Sequence, residues 1–240
     1  MRPKKHYKEL DDDTLFLGDI HGRLSFINNI RSSTRPTQER DVVQVGDLNL
    51  FNLSKFLPDL QEVLEKEELT MHVLRGNHDN PYFWTPAGIK DLVKYDRIKI
   101  IRDYTELVIG GTSYLCVGGG ISVDRQVRTP HIDYWPEEKV VDKRVDNKYE
   151  GLICHSAPSF FNKTTPTDDW SYYRRDPALR FELELERDVI DVLVKEIECH
   201  TIIGGHYHNN AREYRYFDGK EMKYRCLDID EVCNYYNLFE

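Results

Sequence analysis

An α/β fold is predicted by two features of this sequence. Short apolar runs alternate with amphipathic stretches, and the early runs end in glycine-marked turns. A content of 40% hydrophobic and 31% charged residues, spread along 240 positions, fits a globular chain. In chain order, Thr14-Leu-Phe-Leu-Gly18, Asp41-Val-Val-Gln-Val-Gly46 and Thr70-Met-His-Val-Leu74 read as buried strands entering turns. Leu24, Ile27 and Ile30 give a short helix between the first two. Phe56, Leu57, Leu60, Val63 and Leu64 fall at helical spacing over residues 54–68, with Ser54 as N-cap and Pro58 in the first turn. Strand, helix, strand repetition implies a parallel or mixed sheet covered by helices.

From about Ile98 the pattern changes. Glu106-Leu-Val-Ile109, Gly110-Gly111 and Thr112-Ser-Tyr-Leu-Cys-Val117 read as a hairpin, and residues 213–227 as a second one turning at Asp218-Gly219. Between them come a buried strand at Leu152-Ile-Cys154, a long helix at about 177–197 and a strand at Thr201-Ile-Ile203. Residues 122–149 and 159–176 are polar, aromatic-rich and longer than ordinary connections, so they are expected to be binding loops or a substrate lid. No repeat or linker interrupts the pattern, and residues 1–240 read as a single domain.

Charge and cysteines narrow the function classes. The 33 Lys and Arg against 42 Asp and Glu give a net charge of −9, which repels long polyanions and argues against a partner made of long nucleic acid. A bound cation cluster would invert that locally. The five cysteines are odd in number and contain no C-x-x-C pair, as expected of reduced thiols in a cytoplasmic protein. The basic N-terminus runs into Glu9 and Asp11 to Asp13 rather than an apolar stretch, so no secretory signal is expected. No apolar run approaches the ~20 residues of a membrane span, and no membrane partner is expected.

Five polar clusters end the apolar runs: Gly18-Asp19-Ile20-His21-Gly22, Gly46-Asp47, Gly76-Asn77-His78-Asp79, Cys154-His155 and Gly205-His206-Tyr207-His208. The carboxyl ends of strands are where α/β sheets build sites. Asp19 and His21, two apart, are expected to face the same way on an extended strand end, and His206 and His208 likewise. Each piece alone has a plain structural reading: a turn residue, a core histidine, an exposed strand face. Order and spacing outweigh them, because Asp19, Asp47 and Asn77 lie 28 and 30 residues apart, each after its own strand. The donors are all oxygen or nitrogen, too many for a closed four-ligand zinc site. Two ions bridged by one carboxylate account for them, an arrangement with ions ~3.5–4 Å apart that clamps attacking and leaving oxygens in phosphatases and nucleases.

With these residues in hand, the chain resembles the calcineurin-like metallophosphoesterases. Their pattern runs GD-x-H-G, GD, GNH[D/E], a later H, then G-H-x-H, and it is matched from Asp19 to His208. The resemblance implies two mixed β-sheets packed face to face with helices outside, and hydrolysis of a phosphate ester, a diester in preference to a monoester. Asp19, His21 and His208 would hold one divalent ion, Asn77, His155 and His206 a second, and Asp47 would bridge them; manganese, iron and zinc are the expected metals. A hydroxide shared by the ions would attack phosphorus in line. His78 would serve as general acid or as donor to a phosphoryl oxygen, with Asp79 helping to orient it.

One branch of the family, the phosphoprotein phosphatases, continues its second motif as GD-x-x-DRG. Here Asp47 is followed by Leu48-Asn49-Leu50-Phe51-Asn52, without the acid or the phosphate-gripping arginine. A small stand-alone bacterial or phage-type member fits better, and Ser122-Val-Asp-Arg125 with Arg128 and Trp135-Pro-Glu-Glu138 is similar to such members. Arg125 and Arg128, or Arg174 and Arg175, are the candidates to hold phosphate instead, each with a salt-bridged surface as its alternative. Trp170, Tyr172 and Tyr173 could stack on a nucleobase or pack their loop onto the body. Gly118-Gly119-Gly120 lacks dinucleotide-loop spacing and reads as a tight turn that lets backbone approach the site. The substrate expected is a small phosphate ester, a nucleotide among the options. The competing readings are a phosphomonoesterase or protein phosphatase, and a non-catalytic interaction scaffold on the same fold. The full ligand set with His78 favours the hydrolase.

Overall fold

The computed structural model describes residues 6–33, 39–50, 56–161 and 170–239. Its first half contains strands β1 (His6–Leu10), β2 (Leu15–Leu17), β3 (Arg40–Gln44), β4 (Leu69–Val73) and β5 (Ile98–Ile100), with helices α1 (Phe26–Ser33), α2 (Phe56–Lys66) and α3 (Pro86–Asp91). Its second half contains β6 (Thr105–Ile109), β7 (Thr112–Val117), β8 (Gly151–Cys154), α4 (Trp170–Arg175), α5 (Leu179–Ile197), β9 (Thr201–Gly204), β10 (Ala211–Phe217), β11 (Lys220–Cys226) and β12 (Val232–Asn234). The strands form a seven-stranded sheet in the order β1-β6-β7-β8-β9-β11-β10 and a five-stranded sheet in the order β12-β2-β3-β4-β5. Both are mixed: β12 runs antiparallel to β2 while β2, β3, β4 and β5 are parallel, and two antiparallel pairs, β6 with β7 and β10 with β11, frame the parallel β7, β8 and β9.

The period of two along each strand explains why the sheets stack. Leu15 and Leu17 face a core shared with α1 and α2, while Phe16 between them faces the other sheet. Val42 and Val43 divide in the same way, and so do Leu152, Cys154 and Ile153 in the seven-stranded sheet. Phe16, Val43, Leu107, Cys116, Ile153 and Ile203 therefore meet between the sheets. On the outer face Ile190, Leu193, Val194 and Ile197 of α5 cover Leu152 and Ile202, each contributing about 1.5–3 kcal/mol of burial. The result is an α/β sandwich of helix, sheet, sheet, helix, as the resemblance implies.

Both hairpins form where expected. Their turns, Gly110-Gly111 and Asp218-Gly219, take left-handed backbone at both positions, with φ of 54° and 82°, and 50° and 77°. Three strands go beyond the sequence reading. β1 is polar and carries no strand signal; Tyr7 anchors it by bonding His72 Nδ1 at 2.8 Å, and His72 Nε2 in turn lies 2.6 Å from Asp41. β5 and β12 are three residues each and are defined by their neighbours. The segment 159–176 is in part helical, as α4, while its residues 162–169 and the expected N-cap Ser54 lie outside the described residues. Residues 122–149 are irregular apart from a 3-10 turn at Arg125–Val127 and an isolated bridge between Pro130 and Tyr134. Among the described residues no helix is long and apolar enough to cross a membrane.

Candidate metal centre

The five polar clusters leave the carboxyl ends of β2, β3, β4, β8 and β9. Three of those strands are adjacent in one sheet and two in the other, so stacking the sheets brings the clusters to one place. Their convergence does not arise from extended strand ends. β2 stops at Leu17, and His21 has left-handed backbone at φ 46°; Asp47, His206 and His208 are also left-handed, at 61°, 66° and 47°. Non-glycine residues in this region are uncommon and concentrate where function holds a strained turn. The glycines have a different part: they clear space. A Cβ on Gly76 would sit 2.1 Å from Asp47 Oδ1, and one on Gly46 would sit 2.3 Å from His155 Nδ1.

The donor atoms fall into two groups, each lying within 4.8 Å: Asp19, His21, Asp47 and His208, and Asp47, His155 and His206. Asp47 belongs to both. Asp19 and Asp47 are 0% and 1% exposed, so two buried carboxylates stand side by side at the floor of the site. His206 N donates to both Asp19 oxygens at 3.1–3.2 Å, and His78 N to Asp47 Oδ1 at 2.8 Å.

The histidines bear on what the site could hold. His155 Nδ1 lies 3.0 Å from the Val45 carbonyl, which can only accept, so that nitrogen carries the proton. Nε2 then faces Asn77 Oδ1 at 3.0 Å and Asp47 Oδ1 at 3.3 Å. Three acceptors converge there, and only a proton or a cation satisfies them. Asp47 and Asp19, against the opposing effect of burial, push the His155 imidazole up to about 9. His208 is likewise raised, through its hydrogen bond to Asp19, whereas burial lowers His21 and His206. A donor set of this kind, nitrogen and oxygen around two buried acids, fits divalent cations. Asn77 Oδ1 adds a neutral donor to the second group.

His78 stands at the edge of the cluster, with its Nε2 3.8 Å from Asp47 Oδ2. The Arg128 guanidinium lies 2.9 Å from each of its ring nitrogens and is itself held by Asp124 at 2.8 Å. Burial and Arg128 lower the His78 imidazole, against Asp47. Asp79 does not orient it. That carboxylate is fully buried and accepts from the amides of Asp47, Gly76 and Leu50 at 2.8–3.0 Å, tying the loops after β3 and β4 together.

An open cavity of ≈ 390 Å³ leads to these residues, walled by Arg23, Val123, Asp124, Arg128, Tyr172 and Ile229 among others. Of the four arginines singled out in the sequence, Arg128 faces this cavity. Arg125 turns away and is gripped by Asp176 at 2.5 Å and by both oxygens of Glu182 at 2.9–3.0 Å. Arg174 and Arg175 are exposed on α4, outside the described lining. Tyr172 lines the cavity, Tyr173 does not belong to its described lining, and the side chain of Trp170 lies outside the described residues. Sequence reading missed Arg23 and Asp124; the one directly follows Gly22 of the first polar cluster and the other sits inside Ser122-Val-Asp-Arg125.

The family model described as calcineurin-like phosphoesterase matches residues 13–210. Among solved structures, one crystal structure covers 90% of this chain and 90% of its own at 12% identity, with a TM-score of 0.54. A phosphopantetheinyl hydrolase (PptH) from Mycobacterium tuberculosis covers 92% of this chain and 90% of its own at 13% identity, with a TM-score of 0.44. The first likeness speaks for the fold alone, and the second carries no conclusion. No curated protein matches the chain.

Proposed function

The chain belongs to the calcineurin-like phosphoesterase family, and on that premise we propose that it is a two-cation hydrolase of phosphate esters that prefers diesters. The observation that carries this reading is the place of Asp47 in both donor groups. Asp19, His21 and His208 would complete one cation site; Asn77, His155 and His206 would complete the other. Cations held there would neutralise phosphoryl oxygens and lower the pKa of water toward neutrality.

The chain's own residues supply position and protons. His78 donates to the leaving oxygen or to a phosphoryl oxygen, and Arg128 fixes its ring and presents a guanidinium to the ester. Asp124 offsets much of the Arg128 charge. A singly charged diester matches that modest excess better than a doubly charged monoester does. Tyr172 and Ile229 offer apolar wall to an organic substituent of the ester. The net charge of −9 supports a small ester as partner rather than a long nucleic acid.

The test is a panel of phosphomonoesters, cyclic nucleotides and dinucleotides, assayed with manganese, iron, zinc and magnesium in turn. Hydrolysis of diesters ahead of the matched monoesters supports the reading. A preference for monoesters would overturn the diester assignment. No turnover with any ion bound would overturn the enzyme assignment and favour the scaffold.

A further inference from the structure

We infer that Glu138 and Ser122, in the irregular segment 122–149, are positioning residues that fix which end of the Asn77 amide faces the second cation site. The inference rests on the proposal above that Asn77 is a ligand there. Asn77 Nδ2 donates to Ser122 Oγ at 3.0 Å. Ser122 Oγ donates to Glu138 Oε2 at 2.7 Å, and Ser122 N donates to Glu138 Oε1 at 2.6 Å. Both Glu138 and Ser122 are buried, at 0% and 1% exposure, so water does not compete for these bonds.

The direction of the chain follows from its far end. In its ionised form the carboxylate only accepts, so the serine hydroxyl then points its proton at Glu138. Its oxygen then has only lone pairs for Asn77, and Asn77 must turn its amino group outward and its Oδ1 inward. Oδ1 accordingly lies beside His155 Nε2 at 3.0 Å. With the amide reversed, an N–H pair would face the cation. Burial, with the Glu186 carboxylate adding to it, pushes the Glu138 carboxyl up to about 8, opposed by the bonds from Ser122 and by Arg128. A cation held by Asn77 favours the ionised form that sets this direction.

The segment is placed for this task by the residue that precedes the ligand turn. Arg75 donates to the carbonyl oxygens of Glu138 at 2.7 Å, Lys139 at 3.2 Å and Gly118 at 3.2 Å. Gly120 N also bonds the Glu138 carbonyl, at 3.0 Å. The turn that begins at Trp135 thus seats its carboxylate under Asn77, which gives Trp135-Pro-Glu-Glu138 a role that its sequence alone does not disclose.

The test is calorimetric titration of metal-stripped protein with Mn²⁺, alongside thermal melting without metal. Glu138→Gln and Ser122→Ala should leave the first ion's affinity and the metal-free melting point near wild type. The second ion's affinity should fall by about 10–100-fold, the usual effect of losing an outer-shell partner. Ser122→Thr, which keeps the hydroxyl, should restore it. A further readout separates orientation from packing: in an Asn77→Asp background, which has no amino group to direct, Glu138→Gln should no longer weaken the second ion. Unchanged affinity in Glu138→Gln and Ser122→Ala, equal loss at both ions, or the same loss in the Asp background would each overturn the inference. A wild-type chain that saturates at one Mn²⁺ would instead overturn the two-cation reading, and this inference with it.

Discussion

His21 and His208, 187 residues apart in the chain, bring their Nε2 atoms to 2.9 Å of each other, and His208 Nε2 lies 3.0 Å from Asp19 Oδ2. Two imidazole nitrogens at that separation can share one proton, but two protons would repel. The pair is held in this posture by its own left-handed turns and by rings crossed at 87°. Such an arrangement could hold a cation between the nitrogens and the carboxylate.

Divalent ions should therefore stabilise the fold as well as support turnover. Mn²⁺ at 100 times its dissociation constant adds about 2.7 kcal/mol at one site. For a chain of this size that raises the melting temperature of stripped protein by roughly 5–10 °C. His208→Ala should remove much of the shift. Differential scanning fluorimetry with and without Mn²⁺ checks this, and an unchanged melting point in the wild type would count against metal binding here.

Asp47→Asn should weaken both ions together. Asparagine tolerates the left-handed backbone at this position, so the fold should persist. Turnover should fall by at least about 10²-fold, beyond the loss expected for a partner outside the ligand shell. His206→Ala, whose side chain belongs to one donor group, should affect one ion first. Metal stoichiometry by plasma mass spectrometry distinguishes the two; loss of a single ion in Asp47→Asn would refute the bridging role.

His78→Ala should keep metal content near wild type, because the ring stands beside Arg128 and outside both donor groups. General-acid help is worth about 10²–10⁴-fold and matters most for a poor leaving group. Hydrolysis of an alkyl diester should drop by that order, while a nitrophenyl diester, whose phenolate leaves unaided, should suffer much less. Equal losses for both esters would assign His78 to phosphoryl binding.

Arg125 should matter for stability and not for chemistry. Its guanidinium is gripped by Asp176 and Glu182, and the hydrogen bonds from Arg125 hold Glu182 down at about 2 against an ordinary 4.5, with Asp176 lowered as well. A carboxyl depressed in the folded state adds stability that is complete above its ordinary value and is lost as pH falls toward the folded one. Arg125→Ala should therefore lose roughly 1.5–3 kcal/mol at neutral pH, the range for hydrogen bonds to charged groups. Its acid unfolding, followed on stripped protein from pH 5 to 2, should be less steep than that of wild type. A variant with unchanged stability and reduced turnover would make Arg125 a substrate group after all.

The sequence by itself determined the alternation of strands and helices, both hairpin turns and the identity of the clustered donors. These are local properties: the period of two puts Phe16 and Leu17 on opposite faces, and Asp218-Gly219 accepts the backbone its turn demands. Tertiary structure decided the rest, because it concerns partners far apart in the chain. Nothing in the spacing of Arg125 and Arg128 says that one is neutralised on Glu182 while the other meets His78; the 3-10 turn between them sends them apart. Asp79 follows His78 directly, yet its partners are three backbone amides brought within reach by the parallel pairing of β3 and β4. β1 and β12 exist because neighbouring strands offer free edges to short segments with little propensity of their own. The donors' convergence required two sheets to pack with their carboxyl ends together, and that is a property of the shared core of Phe16, Val43, Ile153 and Ile203 rather than of any motif.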